Sequence, residues 1–333
     1  MTADLMIETD RVGRSFRGTA ALEEISLEVP RGTVLGLLGH NGAGKTTLVN
    51  ILTTVLPPSR GTARVAGYDV VGQGRLVRQR IGVTGQFAGV DDKLTGLENL
   101  VLLGRLLGAG RRAARARARE LIEVFGLSNA ADRRARHYSG GMRRRLDLAA
   151  GLLGRPDVVF LDEPTTGLDL TSRHALWDIV EGLVKDGTTV LLTTQYLEEA
   201  DRLADGIVVL SRGCVVATGT AAALKAELGR RTVSVTLPSP HDVPSALAAL
   251  RRAGLAPEAD HARITTDIKG SRQLATVVRA LDETDIELVE LALHEPTLDD
   301  VYLALAREKA PVGASAAPAG PATGMPAGRG TPQ

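Results

Sequence analysis

The residues GHNGAGKTT, beginning at Gly39, have the spacing of a loop that binds phosphate groups. An apolar run, TVLGLL, precedes them and a helix-like stretch follows, which is the setting that such a loop requires. Its glycines let backbone N–H groups face phosphate oxygens, and the helix N-terminus adds positive potential. Lys45 is predicted to reach the β- and γ-phosphates, and the Thr46 hydroxyl to bind Mg²⁺. The predicted nucleotide-binding residues here are Gly39, His40, Asn41, Gly42, Ala43, Gly44, Lys45, Thr46 and Thr47.

A pair of acids, Asp162 and Glu163, ends the apolar stretch DVVFLDEP. In doubly wound α/β sheets, ligands lie at the carboxyl ends of the strands. Asp162 is therefore predicted to hold Mg²⁺ through water, and Glu163 to polarise the attacking water as general base. A strand that simply ends in two solvated acids would look the same in isolation, but the phosphate loop favours the catalytic interpretation.

These candidate residues need a fold that positions them, and the apolar pattern predicts an α/β core. Unbroken apolar runs alternate with helix-like segments from Leu5 to about Thr220, as in parallel strands that are covered on both faces. After Leu228 the pattern changes to RTVSVTL, which alternates like a half-exposed strand, and then to further helices and strands. We predict a nucleotide-binding domain over residues 1–229 and a small α/β accessory domain over 230–309. The tail, 310–333, is almost all Ala, Pro, Gly, Ser and Thr and is predicted to be disordered.

Composition limits the remaining possibilities. The chain has 333 residues, of which 44% are hydrophobic, and this is enough for a large core or two domains. Its 40 basic and 39 acidic residues give a formal net charge of +1, so we expect no nucleic-acid partner. Cys214 is the only cysteine, which rules out an internal disulfide and fits a reducing compartment. The start has no secretory pattern and no run could form a membrane helix, so we expect a soluble chain that reaches a membrane only through a partner.

A third stretch, YSGGMRRRLDLAAGLL, lies between the loop and the paired acids. Its hydroxyl and two glycines at the start of a basic helix would make an anion site. Together the three stretches resemble the ATP-binding-cassette (ABC) ATPases, whose signature Leu-Ser-Gly-Gly-Gln here reads Tyr138, Ser139, Gly140, Gly141, Met142. The resemblance covers roughly residues 5 to 220. It implies a P-loop ATPase core with a helical subdomain that carries the signature, and ATP and Mg²⁺ as ligands.

The family resemblance also implies partners and further site residues. In ABC ATPases the signature faces the γ-phosphate bound by the opposite subunit, so two copies of this chain would enclose two ATP molecules. Gln86, in VTGQF, matches the glutamine that senses Mg²⁺, water and the membrane partner, and Asp169, in TTGLD, matches an acid that bridges the subunits. Phe16 lies where the family places an aromatic ring on adenine, although a phenylalanine near the N-terminus could equally belong to the core.

A narrower resemblance is carried by VTGQFAGVDDKLTGLENL, LDEPTTGLD, GTTVLLTTQYLEEADRLAD and the late EPTLDDVYLALARE. These are similar to the daunorubicin/doxorubicin-resistance ATP-binding proteins. The similarity implies the ATP-hydrolysing subunit of a bacterial exporter of a hydrophobic drug or antibiotic. That subunit is peripheral, at the cytoplasmic face of the membrane, and binds a separate integral membrane permease. A lipid, a polysaccharide or a peptide remains an alternative cargo.

Non-transport ABC ATPases are the other alternative. Those that act on ribosomes usually carry two cassettes in one chain, and those of DNA repair separate their nucleotide motifs by a long coiled coil. This chain has one phosphate loop and one signature, and it shows no sustained heptads between them.

Gln195, after the apolar run TVLLTT, departs from the general family pattern. Most ABC ATPases have a histidine here, which contacts the γ-phosphate and the attacking water. A glutamine amide donates and accepts hydrogen bonds but carries no charge. Either turnover is impaired, or Gln195 orients the γ-phosphate and water by neutral hydrogen bonds. We favour the second interpretation, because the other catalytic positions are intact and the drug-resistance subgroup has glutamine here. The predicted catalytic residues are Glu163, Lys45, Gln195 and Gln86, and the predicted metal-binding residues are Thr46, Gln86 and Asp162.

Overall fold

The computed structural model describes residues 4–84, 89–228, 231–295 and 297–302. Its strands, in chain order, are β1 (Leu5–Phe16), β2 (Thr19–Pro30), β3 (Val34–Leu38), β4 (Arg60–Val65), β5 (Tyr68–Asp69), β6 (Ile81–Thr84), β7 (Val158–Asp162), β8 (Thr189–Thr194), β9 (Gly206–Ser211), β10 (Cys214–Gly219), β11 (Arg231–Thr236), β12 (Pro257–Asp260), β13 (Arg263–Ile268) and β14 (Glu290–His294). Its α-helices are α1 (Lys45–Leu52), α2 (Gly74–Arg80), α3 (Gly96–Leu106), α4 (Arg111–Val124), α5 (Gly140–Gly151), α6 (Leu170–Lys185), α7 (Leu197–Leu203), α8 (Ala221–Leu228), α9 (Val243–Arg252) and α10 (Ser271–Asp282).

The central sheet has six strands in the order β10-β9-β3-β8-β7-β6. Its inner strands are parallel, and only β9 and β10 pair antiparallel. All residues of β3 and β8 are buried, as their unbroken apolar runs predict. Leu38 pairs with Thr194, and Asp162 pairs with Thr193. The segments that follow β3, β7 and β8 therefore begin side by side at one edge of the sheet, and the predicted α/β fold is confirmed.

An antiparallel sheet in the order β2-β1-β4-β5 covers one side of this core. Burial alternates along β2, where Ile25, Leu27 and Val29 point into the protein and their neighbours are exposed. Those buried side chains share one apolar cluster with Leu48 and Ile51 of α1. The sheet thus supports the helix that follows the phosphate loop.

A helical layer covers the other side of the core. Helices α3, α4 and α5 contact one another, and their apolar faces share a cluster with the central sheet and α6. A capping box at Thr95 and Glu98 fixes the start of α3. The signature residues lie at the start of α5, so this layer is the helical subdomain that the resemblance implies. No helix in the described part of the chain is long and apolar enough to cross a membrane.

A third sheet, fully antiparallel and in the order β12-β13-β11-β14, follows the first two. It packs with α9 and α10 around its own cluster, which includes Val233, Leu250, Ile264 and Val277. Most of these elements match the predicted alternation of strands and helices. Strand β12 was not predicted, because its residues PEAD have no apolar alternation and three of the four are exposed. The domain boundaries stay predictions.

Residues 298–302, here called the C-terminal helical segment, pack on the central sheet. Leu298 and Val301 are 3% and 4% exposed, and they share a cluster with Leu38, Val209 and Leu224. The chain therefore leaves the third sheet and returns to the end of β3, directly before the phosphate loop.

Candidate nucleotide-binding and catalytic site

The phosphate loop has backbone conformations that favour glycine. Gly42 and Gly44 have φ angles of 84° and 109°, which lie in the left-handed region. A Cβ atom at Gly39 would lie 2.6 Å from the carbonyl oxygen of Leu210, so a larger residue would push the loop away from β9. The loop leads directly into α1, which begins at Lys45. Sequence and structure thus agree on a tight turn with a helix N-terminus behind it.

Lys45 links this loop to the paired acids. Its Nζ atom donates a hydrogen bond to the carbonyl oxygen of Gly39 at 2.6 Å and lies 3.9 Å from Glu163 Oε1. Only 5% of the residue is exposed. Burial lowers the pKa of Lys45, and the carboxylates of Glu163 and Asp162 act in the opposite direction. The ammonium group is therefore held at the floor of the site, between the loop and the end of β7.

A cleft of about 320 Å³ opens above the loop. Polar atoms dominate its wall, as expected for a site that receives phosphate groups. It brings together eight of the predicted residues, among them Lys45, Thr46 and Glu163. Its full lining is Ala21, His40, Asn41, Gly42, Gly44, Lys45, Thr46, Thr47 and Glu163.

Thr193, on the neighbouring strand β8, organises the two acids. Its hydroxyl donates a hydrogen bond to Asp162 Oδ1 and accepts one from the backbone N–H of Glu163 at 3.2 Å. The same N–H lies 3.0 Å from the carbonyl oxygen of Thr193. Glu163 has a φ angle of 46°, an unusual value for a residue with a side chain. The chain turns sharply here, and Glu163 points toward Lys45 rather than continuing the strand.

Arg144, on the signature helix α5, holds this turn from the other side. Its guanidinium group donates to the carbonyl oxygens of Asp162, Glu163 and Pro164, at 2.9, 3.1 and 2.8 Å. Burial lowers the pKa of Arg144, and nearby carboxylates, first that of Asp147, oppose the shift. The sequence did not single out Arg144, because it lies in a run of three arginines that look alike.

The signature residues form a second cluster, apart from the cleft. Ser139 caps α5, and its hydroxyl accepts a hydrogen bond from the N–H of Met142 at 3.3 Å. A Cβ atom at Gly141 would lie 2.6 Å from Ser172 Oγ, so this glycine permits close packing of α5 on α6. Ser172 in turn donates through its hydroxyl and its N–H to Asp169, which caps α6. These hydrogen bonds lower the pKa of Asp169. Ser139, Gly140, Gly141 and Asp169 are not among the residues that line the cleft.

Gln195 lies in a second cleft, of about 360 Å³, on the other side of the loop. His40 and Asn41 line both clefts, so the two adjoin there. Gln195 is exposed and follows the last residue of β8. Tyr302, from the C-terminal helical segment, also lines the second cleft, and no local signal in the sequence pointed to it.

The roles of Gln86 and Phe16 stay predictions. Gln86 lies outside the described residues. Phe16 ends β1, is 41% exposed and has the Arg14 guanidinium 4.8 Å from its ring centroid. It is not among the residues that line the cleft, and its contact with adenine stays a prediction.

A metal ion would find oxygen donors at this site. The described residues contain no cluster of three or more His, Cys, Asp or Glu side chains that could hold a metal alone. Mg²⁺ does not need such a cluster, because it keeps several waters and binds substrate phosphates together with one or two protein oxygens. Thr46 lines the cleft, and Asp162, although not among the lining residues, ends β7 directly before Glu163, which does line it; hydroxyl and carboxylate oxygens are donors that suit Mg²⁺.

Comparison with known proteins agrees with this geometry. A family profile described as ABC transporter matches residues 22–166. The daunorubicin resistance ATP-binding protein DrrA3 of Streptomyces coeruleorubidus is 50% identical over 304 residues, which cover 91% of this chain and 96% of that protein. The Nod factor export ATP-binding protein I of Paraburkholderia xenovorans is 38% identical over 90% of this chain and 96% of its own length.

Solved structures give the same answer for the fold. The structure of an ATP-binding subunit of an ABC transporter superposes with a TM-score of 0.61. It is 27% identical, and the match covers 67% of this chain and 93% of that one. This chain therefore belongs to the ABC transporter family, among its ATP-binding proteins, as the signature and the phosphate loop predicted. It follows that the chain binds nucleotide and is an ATPase.

Proposed function

We propose that this chain powers the export of a hydrophobic drug or antibiotic as the ATP-hydrolysing subunit of a membrane exporter. The observation that carries the proposal is the cleft in which Lys45, Thr46 and Glu163 meet. Similarity along nearly the whole chain to a daunorubicin resistance ATP-binding protein supports the choice of cargo.

The predicted catalytic and metal-binding side chains that the structure describes each have a proposed part in hydrolysis. The loop N–H groups and Lys45 bind the phosphate oxygens and hold the γ-phosphate in place. Glu163, aimed into the cleft by the turn after β7, accepts the proton of the attacking water. Thr46 and Asp162 would hold Mg²⁺, which supplies positive charge against the phosphates. Gln195 orients the γ-phosphate and the water from the adjoining cleft, through hydrogen bonds that do not depend on protonation.

A second copy of the chain completes the proposed site. Ser139, Gly140 and Gly141 lie outside the phosphate cleft, and Ser139 and Gly140 are exposed at the start of α5. A helix N-terminus without a phosphate loop of its own suits a γ-phosphate presented by another subunit. Asp169 accepts a hydrogen bond from Ser172, which packs on Gly141, and its proposed part is to contact that subunit.

Ser139→Arg tests this arrangement. The substitution places a bulky cation on the surface that would close over ATP, so we expect ATP-dependent dimers to be lost and turnover to fall by at least about tenfold. Light scattering would measure dimer formation, with Ser139→Arg made in the Glu163→Gln background. The matched control is His137→Arg, on an exposed residue just before the signature. Normal dimers and turnover in Ser139→Arg would contradict the shared site.

The proposed membrane partner is an integral permease encoded separately, with this chain peripheral at the cytoplasmic face. A different exported compound is the second candidate, because the Nod factor export protein is also similar over nearly the whole chain. The drug is favoured because identity to the daunorubicin resistance protein is higher, 50% against 38%.

Co-expression with the adjacent reading frame tests the whole proposal. A polytopic membrane protein should co-purify with this chain, and cells with the pair should accumulate less daunorubicin than cells with the Glu163→Gln pair. Retention of this chain on ribosomes or DNA in place of a membrane protein would contradict the exporter. Co-purification with unchanged drug accumulation would contradict the drug as cargo, and the exporter would then carry another compound.

A further inference from the structure

The C-terminal helical segment packs against the end of β3, directly before the phosphate loop. Leu298 and Val301 are buried in the cluster that contains Leu38, the last residue of β3. The N–H of Thr297 donates to Asp300 Oδ2 at 2.9 Å, and the N–H of Asp300 donates to Thr297 Oγ1 at 3.2 Å. This reciprocal pair fixes the entry into the helix. The segment is thus anchored by both apolar burial and its cap.

Tyr302, the last residue of this segment, lines the same cleft as Gln195. It is partly buried against the same apolar cluster, and it lines the cleft together with Gln195, Thr194 and the loop residues His40 and Asn41. Neither Gln195 nor Tyr302 makes a side-chain hydrogen bond to any other residue that the structure describes. No hydrogen bond within the described residues therefore fixes the amide of Gln195, and Tyr302 is the bulkiest of the other residues that line its cleft.

A glutamine needs a neighbouring side chain to fix its orientation more than a histidine does. A glutamine side chain has more rotatable bonds than a histidine side chain. It therefore loses more rotamer freedom when it is fixed in one orientation. An aromatic ring with two torsions is a rigid boundary that limits this freedom at low entropic cost.

We propose that Tyr302 is a positioning residue for Gln195, and that it restricts the amide to orientations that face the phosphate loop. The inference rests on the proposed role of Gln195 in hydrolysis. It gives the C-terminal segment a part in turnover, because the segment brings a side chain from beyond the third sheet to the edge of the nucleotide site.

Steady-state ATPase assays on the full chain test the proposal. Tyr302→Ala should lower kcat by about fivefold and change KM by less than about twofold, since the amide is misoriented while the phosphate loop is intact. Tyr302→Phe keeps the ring and should stay within about twofold of wild type. Asp299→Ala, on an exposed residue of the same segment, is the matched control and should leave kcat unchanged. If Tyr302→Ala does not fold, Tyr302→Leu keeps apolar volume without the ring and takes its place.

A double variant distinguishes an effect that acts through Gln195 from an independent loss of activity. If Tyr302 acts through Gln195, then Gln195→Ala with Tyr302→Ala should be no slower than Gln195→Ala alone. Multiplied losses in the double variant, or wild-type kcat in Tyr302→Ala, would overturn the inference. Wild-type kcat in Gln195→Ala would instead contradict the role of Gln195 itself, so the two failures can be told apart.

Discussion

The two clefts that meet at His40 and Asn41 differ in charge and in how the chain builds them. The first contains Lys45 and Glu163, which follow two strands of the same parallel sheet. The second contains an uncharged amide and a phenol, and the phenol comes from the last described segment of the chain. The charged groups are thus placed by the sheet, and so is Gln195, which follows β8, whereas Tyr302 is placed by the packing of a distant segment.

The difference extends to what holds each cleft in shape. Backbone conformation and hydrogen bonds to carbonyl groups fix Glu163, through its positive φ angle and the contacts of Thr193 and Arg144. Apolar packing and the cap of the C-terminal helical segment hold the wall that Tyr302 contributes. We therefore expect changes in the first cleft to have larger effects on hydrolysis than changes in the second.

Glu163→Gln should have the largest effect. The amide keeps the shape of the side chain but cannot accept a proton from water, so kcat should fall by a factor of about 100 or more. ATP binding should persist, because the loop and Lys45 are unchanged. Steady-state hydrolysis and a nucleotide titration measure the two quantities, with Glu198→Gln, on an exposed residue, as the control. Unchanged hydrolysis would remove Glu163 from the role of base.

Arg144→Gln should have the next largest effect. Loss of the guanidinium fork leaves three carbonyl groups around Glu163 without that donor, so we expect about tenfold lower kcat and a stability loss of about 1–3 kcal/mol. Arg144→Lys should not rescue turnover, because an ammonium group does not reproduce a planar fork. Arg143→Gln is the matched control, since Arg143 pairs at the surface with Asp92. Equal behaviour of Arg144→Gln and Arg143→Gln would contradict a role for Arg144 in the turn.

Gln195→Ala should have a smaller effect, in line with a neutral residue in the second cleft. We expect hydrolysis to slow by about tenfold or less and ATP affinity to change little. Gln195→His should make turnover depend on pH near neutrality, because an imidazole titrates there and an amide does not. Equal losses of hydrolysis and of ATP binding in Gln195→Ala would indicate a merely structural residue.

The same contrast explains which parts of the site the sequence could predict. Gly39 to Thr47 are contiguous, and the acids lie next to each other at the end of an apolar run, so local spacing was sufficient. The α/β fold followed from strands that are apolar along their whole length. Arg144 could not be separated from its arginine neighbours, because only the tertiary fold decides which of them faces the turn. Tyr302 lies in the stretch EPTLDDVYLALARE, which carried a family resemblance but gave no signal for the site, since its position in the second cleft depends on the path of the chain after the third sheet.

A buried acid four residues after Gln195 gives the smallest predicted effect. Glu199, on α7, has 0% exposure, and its Oε1 accepts a hydrogen bond from Trp177 Nε1 at 3.2 Å. Burial raises its pKa from the ordinary value of 4.5, and hydrogen-bond donors and the nearby charge of Arg173 offset only part of the shift. The native protein thus keeps a proton that the unfolded chain loses, so stability falls as pH rises from 4.5 through the raised pKa.

Glu199→Gln should remove this part of the pH dependence. The amide keeps an acceptor for Trp177 and carries no charge, so the variant should gain stability relative to wild type as pH rises from 4.5 through the raised pKa of Glu199. Chemical denaturation at several pH values measures the difference, and Glu198→Gln, on the exposed neighbour, should show no such trend. Parallel curves for Glu199→Gln and wild type would mean that Glu199 is ionised in the native protein. The region behind the second cleft would then hold a buried charge, and the contrast between a charged and a neutral side of the loop would fail.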